Sequence, residues 1–179
     1  MNDVQFWHII DRLQQVRYDD ALGSSDERRD FQIHELRRIL NELPASEIIC
    51  FEEHFVSKML QATTEELVAA ASIVLESVSY DSFDYFASWL ILQGQDAFNK
   101  VIRNPDSVIE VIASGGFPQF EEIRSIPKSV YQSKTKKHFY ANYDAKKFET
   151  ARKLAFSKDW SESELRERFP RLCGLYLEE

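Results

Sequence analysis

Glycine and proline are scarce in this sequence of 179 residues, which contains five of each. Together they make up about half of the share that is usual in globular proteins. Because these two residues form most tight turns, their scarcity argues against long loops, collagen-like repeats and barrels with many turns. No run of apolar residues approaches the ~18 that a membrane-spanning helix needs, so we expect no membrane span.

Cysteine is equally scarce. Cys50 and Cys173 lie far apart and show no Cys-x-x-Cys spacing, so we expect two reduced thiols, although the sequence leaves a disulfide between them open. The first eleven residues are acidic and lack the basic start of a secretory signal. Both observations predict a cytoplasmic protein.

Large apolar side chains are abundant, at 44% hydrophobic and 13% aromatic residues, so the chain can bury a core. Apolar residues recur at helical spacing along most of the sequence, and no strand-like alternation persists. We predict an all-α, single-domain bundle of about nine or ten helices over residues 1–179. Its core is expected over residues 1–130, followed by a basic segment at 128–153 and a final helix at 161–170.

Local signals set several helix boundaries. Ser161 and Glu164 have the spacing of a capping box, which predicts the start of the final helix, and Pro170 is expected to end it. Asp81 and Asp84 precede an apolar helical stripe and are expected to open that helix.

The net charge of −8 is unevenly distributed. Residues 1–127, here called the acidic body, contain ten basic and 22 acidic side chains, a net charge of −12. Residues 128–153, here called the basic segment, contain eight basic and two acidic side chains, a net charge of +6, and residues 154–179 have a net charge of −2. Oppositely charged parts of one chain predict a surface with two distinct partners or an intramolecular contact.

Cations alternate with aromatic residues in the basic segment, a pattern that can contact phosphates and stack on bases. The candidate polyanion-binding residues are Lys134, Lys136, Lys137, Tyr140, Lys146 and Lys147. The same segment can instead dock on the acidic body of its own chain or of a partner, with its aliphatic stems covering apolar surface. The overall negative charge disfavours general affinity for DNA.

A central motif, DSFDYFASWLILQG at residues 81–94, is followed by Asn104-Pro105-Asp106. Together with Phe6-Trp7 near the start, it resembles the bacterial domain of unknown function family 4240 over residues 1–130. The resemblance implies a soluble, helical bacterial protein with no established activity, and it supplies no catalytic residues.

The same motif contains a candidate groove for a ligand or a peptide. Its residues are Asp81, Asp84, Tyr85, Trp89 and Gln93. The alternative interpretation is a helix cap followed by a tryptophan of the core.

Motifs for catalysis and metal binding are missing. The four histidines show no metal-ligand spacing, and neither a glycine-rich phosphate loop nor a Gly-x-Ser-x-Gly motif is present. Adjacent acidic pairs such as Glu52-Glu53 are interpreted as solvated helix faces, because neighbours on a helix point in different directions. We therefore predict no catalytic residue, metal or cofactor.

Three functional hypotheses follow. The first is a non-catalytic interaction protein, either an adaptor or an acidic inhibitor of the immunity type, whose acidic body binds a basic protein partner. The second is a nucleic-acid or polyanion-binding accessory protein that uses residues 134–153. The third is an enzyme with a helical site near Asp81, Asp84 and Trp89, which requires a concave pocket and a titratable group with a shifted pKa.

Overall fold

The computed structural model describes residues 1–14, 25–115 and 117–177, and in these residues it contains α-helices and no strand. The prediction of an all-α fold is confirmed. The helices number eleven in this part of the chain, slightly more than expected. They are α1 (Asp3–Gln14), α2 (Ser25–Glu42), α3 (Ala45–Ala62), α4 (Glu65–Val74), α5 (Tyr80–Ile91), α6 (Gln95–Arg103), α7 (Val108–Gly115), α8 (Ile126–Thr135), α9 (Ala145–Ala155), α10 (Glu162–Arg168) and α11 (Pro170–Tyr176). Two short 3₁₀ turns, Pro105–Ser107 and Glu122–Ser125, precede α7 and α8.

Helix α3 packs against three other helices, α1, α5 and α8. Its apolar residues recur every three or four positions, and Ile48, Phe51, Phe55 and Met59 are buried as one stripe. The ring of Phe51 contacts that of Phe6 from α1 at 5.3 Å between centroids. This stripe joins three helices around a shared aromatic core.

Helix α5 is the central motif of the sequence, and its cap lies earlier than expected. The Ser79 hydroxyl accepts a hydrogen bond from the Ser82 amide at 3.2 Å, and the Ser82 hydroxyl accepts one from the Ser79 amide at 2.8 Å. This reciprocal capping box starts the helix at Tyr80, so the expectation that Asp81 and Asp84 open it is wrong. Asp81 lies exposed in the first helical turn, where its negative charge interacts favourably with the positive end of the helix dipole.

The capping box at the start of α10 is confirmed. The Ser161 side chain accepts from the Glu164 amide, and the Glu164 carboxylate accepts from the Ser161 amide at 2.9 Å. The helix ends at Arg168, and Pro170 begins a further helix instead of ending the last one. Proline is compatible with this position because the first amides of a helix have no partner within it.

A distant carboxylate supplies the partner for those amides. Asp106, only 5% exposed, accepts hydrogen bonds from the backbone amides of Arg171 at 3.3 Å and Leu172 at 3.0 Å. The start of α11 is therefore capped from a turn more than sixty residues away in the sequence, which also attaches the C-terminal helices to the rest of the bundle.

No helix in the described part of the chain combines the length and the apolar character that crossing a membrane requires.

Replacing the cap of α5 should measurably destabilise the protein. We expect Ser79→Ala to lower the free energy of unfolding by about 1 kcal/mol, since the amide of Ser82 loses its acceptor. Urea unfolding measures the effect. Ser77→Ala is the matched control, because Ser77 is exposed and lies outside the capping box. Equal losses in both variants would contradict a capping role.

Candidate functional site

The basic segment is attached to the acidic body at its beginning through Lys134, near the end of α8. The Lys134 ammonium donates hydrogen bonds to the carbonyl oxygens of Asn41 at 2.8 Å and Leu43 at 2.7 Å. These carbonyls lie at the C-terminal end of α2, where the helix dipole favours a cation. One of the predicted polyanion-binding lysines is thus engaged within the chain.

Two further contacts hold the rest of the segment. The backbone amide of Asn142 donates to the Glu53 carboxylate at 2.8 Å. On α9, the Arg152 guanidinium forms an ion pair with Asp84 of α5 and lies over the rings of Tyr80 at 5.3 Å and Phe148 at 4.9 Å. The basic segment therefore docks on the acidic body of its own chain.

The other five predicted polyanion-binding residues remain at the surface. Within the described residues no ion pair engages them, and all five are exposed: Lys136, Lys137, Tyr140, Lys146 and Lys147. Docking thus uses some of the cations of the segment and leaves the others in solvent.

A cavity of about 420 Å³ lies between the docked segment and the body. The body contributes Glu52 and Arg124 to its walls, and the basic segment contributes the rest of the polar and aromatic lining. These segment residues are Lys128, Phe139, Tyr140 and Tyr143. The cavity thus combines cations, a carboxyl and aromatic rings.

Glu52 and Arg124 form a loose, largely buried ion pair. Glu52 is 8% exposed, and its Oε1 lies 3.6 Å from Nη1 of Arg124, which is longer than a hydrogen bond. Burial raises the pKa of Glu52, although the Arg124 charge opposes this effect. The neutral form of the carboxyl is therefore favoured over a wider pH range than for a glutamate in water.

Arg124 retains a hydrogen-bond donor that no described residue satisfies. Its Nη1 is buried from solvent and has no hydrogen-bond partner, while the guanidinium lies over the Phe55 ring at 5.4 Å. A buried donor without an acceptor is costly, and few occur in native proteins. Arg124 also lines the cavity with 29% of its side chain exposed, so it brings a partly accessible cation to this site.

Arg124 also connects the cavity electrostatically to the Arg152 contact. Burial raises the pKa of Asp84, and the charges of Arg152 and then Arg124 oppose that effect. Glu52 and Asp84 of the body thus interact electrostatically with Arg124 of the body, and Asp84 also interacts with Arg152 of the basic segment. The enzyme hypothesis placed its pocket near Asp81, Asp84 and Trp89, and none of these three residues lines this cavity, so that hypothesis stays a prediction.

The predicted groove residues near the end of α5 direct their contacts into the protein. Trp89 is 3% exposed and packs against the Phe86 ring at 5.7 Å. The Gln93 amide group, in the turn just after α5, donates to the Trp89 carbonyl at 3.0 Å. Trp89 is therefore a core residue, as the alternative interpretation of the motif has it.

The remaining groove residues lie at the start of α5. Asp84 is paired with Arg152, and the Tyr85 carbonyl accepts from the Phe120 amide at 3.0 Å. Partial burial and the neighbouring Glu121 carboxylate raise the pKa of Tyr85. The cavity at Glu52 and Arg124, the cavity at Met1 and Leu43, and the cavity at Leu75 and Phe117 contain none of the five residues in their linings. The structure thus places Trp89 in the core, Asp84 in an ion pair and Asp81 in solvent, and the groove stays a prediction.

The two cysteines do not form a disulfide, and possible metal ligands do not cluster in the described residues. Cys50 is half-buried, Cys173 is buried, and both are free thiols. Over residues 1–14, 25–115 and 117–177, no three His, Cys, Asp or Glu side chains come together in a way that could hold a metal ion.

A family model described as "Protein of unknown function (DUF4240)" matches residues 1–133. The chain belongs to this family. The match ends within α8, so the connection after α8 and helix α9 lie beyond it. The floor of the cavity, Glu52 and Arg124, therefore belongs to the family region, whereas Phe139, Tyr140 and Tyr143 do not. No curated protein and no solved structure matches the sequence.

Sequence reasoning missed the two residues of the cavity floor. Glu52 was expected on a solvated face, which is wrong, because it lies four residues after Ile48 and three before Phe55 and so falls on the buried stripe of α3. That spacing was visible in the sequence. Arg124 gave no local signal, since its burial depends on α3 and the basic segment meeting around it.

Removing the Glu52 charge should change how stability depends on pH. Because the pKa of Glu52 is raised, the folded protein holds this proton above pH 4.5, where the unfolded chain releases it. The wild-type free energy of unfolding therefore loses this contribution as pH rises through the folded-state pKa. We expect Glu52→Gln to gain stability relative to the wild type with rising pH.

Urea unfolding from about pH 4 to about pH 8 measures this difference. Glu167→Gln, which alters an exposed carboxyl, serves as the control. Parallel pH profiles for the wild type and Glu52→Gln would contradict the assignment.

Proposed function

We propose that the protein binds a small anionic ligand in the cavity between the family region and the basic segment. The observation that supports this proposal is that two cationic side chains, Arg124 and Lys128, line the cavity, and that the Arg124 guanidinium has a hydrogen-bond donor, Nη1, without a partner among the described residues. An anionic oxygen within hydrogen-bond distance would satisfy it.

The charges around the cavity favour an anion. Two cations, Arg124 and Lys128, line it together with one carboxyl, Glu52, whose burial favours its neutral form. The next carboxyl, Asp84, is already paired with Arg152. A guanidinium presents its donors in one plane, a geometry that matches a carboxylate or a phosphate group.

The size and the walls of the cavity also suit a small ligand. About 420 Å³ falls within the range of roughly 300–1,000 Å³ that is typical of small-molecule sites. The aromatic side chains Phe139, Tyr140 and Tyr143 give the cavity an apolar wall beside its cations. The backbone of the segment is held by the Asn142–Glu53 hydrogen bond, so the wall is formed before a ligand arrives.

The interaction function expected from the acidic composition, that of a cytoplasmic bacterial adaptor or inhibitor, stays a prediction. Many acidic side chains of the body already pair within the chain. Glu66 binds Arg168, and Glu110 binds both Lys100 and Arg171. Such pairs reduce the negative charge available to attract a basic partner.

Loss of the Arg124 guanidinium should weaken anion binding. We expect inorganic phosphate to shift the backbone amide signals of residues 124–126, 128 and 139–145 in an NMR titration. Arg124→Gln should weaken binding at least about tenfold, since it removes a charged hydrogen bond worth about 1.5–3 kcal/mol.

Arg103→Gln is the matched control, because Arg103 is an exposed arginine of α6 and lies outside the cavity. Phosphate-induced shifts that persist in Arg124→Gln, or that spread over all exposed lysines, would refute the proposal.

A second candidate, binding of single-stranded nucleic acid on the outer surface, is favoured by the exposed lysines of the basic segment that lack ion pairs. We expect Lys136→Glu combined with Lys137→Glu to abolish binding of a single-stranded oligonucleotide, and the wild-type affinity to fall steeply with salt. Lys100→Glu combined with Arg103→Glu changes the net charge equally on α6. An unchanged gel shift in the first variant would rule this candidate out.

A further inference from the structure

We infer that the ligand of the cavity joins a planar ring to a single phosphate group, as a free nucleoside monophosphate does. The inference rests on the proposed function and adds the chemical class of the ligand. It follows from three parts of the cavity lining. These are the segment wall with Tyr140 and Tyr143, the cationic side with Arg124 and Lys128, and the Glu52 carboxyl on the floor.

The segment wall is suited to stacking on a planar ring. Tyr140 and Tyr143 line the cavity, yet 77% and 47% of their surfaces are exposed. The ring of Tyr140 lies 6.3 Å from that of His138, whereas Phe139 packs against Tyr131 at 5.3 Å. Phe139 therefore anchors this wall, and the tyrosine rings beside it keep surface that a planar ring can cover.

The cationic side is suited to a phosphate. Arg124 and Lys128 are four residues apart in the continuous helical stretch formed by the 3₁₀ turn and α8, so they lie on the same side of it. Both line the cavity, and 29% of the Arg124 side chain is exposed. A guanidinium and an ammonium together form a strong site for the oxygens of one phosphate.

The floor distinguishes one phosphate from several. The Glu52 carboxyl lies 3.6 Å from Arg124 and is suited to a hydrogen bond with a sugar hydroxyl or an amino group. Any ionised fraction of this carboxyl repels additional phosphates. A cavity of about 420 Å³ with two cations also leaves the charge of a triphosphate largely uncompensated.

Calorimetric titration of the full chain with four probes tests the inference. The probes are inorganic phosphate, adenosine, adenosine monophosphate and adenosine triphosphate. We expect the monophosphate to bind at least about tenfold more tightly than phosphate or adenosine, since it makes both the ring and the phosphate contacts. We expect it also to bind more tightly than the triphosphate, because two cations leave much of the triphosphate charge uncompensated.

Variants of Tyr140 test the stacking contact separately. We expect Tyr140→Ala to reduce the advantage of the monophosphate over phosphate about tenfold while phosphate affinity stays unchanged, and Tyr140→Phe to retain that advantage. Phe117→Ala, which removes an exposed aromatic residue outside this cavity, should leave both affinities unchanged. Because Tyr140 is exposed, its replacement leaves the core intact.

Different results would overturn the ligand class and the proposed anion binding. If phosphate binds as tightly as the monophosphate and depends on Arg124, the ring assignment is overturned while anion binding stands. If the triphosphate binds more tightly than the monophosphate, the single-phosphate assignment is overturned. If no anionic probe binds, the proposed function itself is wrong.

Discussion

The position of one carboxyl within an apolar helix stripe constrains much of this structure. Glu52 lies among the buried residues of α3, where an unpaired charge would be costly. Arg124, from the turn that leads into α8, is the cation placed beside it. The pair defines the floor of a cavity at the contact of α3 and α8. Because the two side chains are 3.6 Å apart, Nη1 of Arg124 has no hydrogen-bond partner among the described residues.

Opposite charges divide the chain into a body and a segment, and the fold brings the two together. Lys134 caps the end of α2, and Arg152 pairs with Asp84 between two aromatic rings. These contacts engage only some of the cations of the basic segment. The family region supplies the floor of the cavity, and the residues beyond it supply the aromatic wall, so family membership alone does not describe the site.

Most of the helices could be predicted, because apolar spacing and local caps act over a few residues. The Ser161–Glu164 box was found for this reason. The cap of α5 was misplaced, since Ser79 and Asp81 are both good capping residues and only the backbone geometry distinguishes them. The start of α11 could not be predicted at all, because its cap is Asp106, which is brought there by packing.

The sequence by itself determined an all-α chain with an acidic body and a basic segment, since periodicity and charge are properties of short stretches. Only the tertiary structure decided which charges are used up and which stay available. It buried Glu52, joined Arg152 to Asp84 and left Tyr140 exposed beside Arg124. The physical reason is that burial and ion pairing depend on distances between segments, and no local pattern encodes those distances.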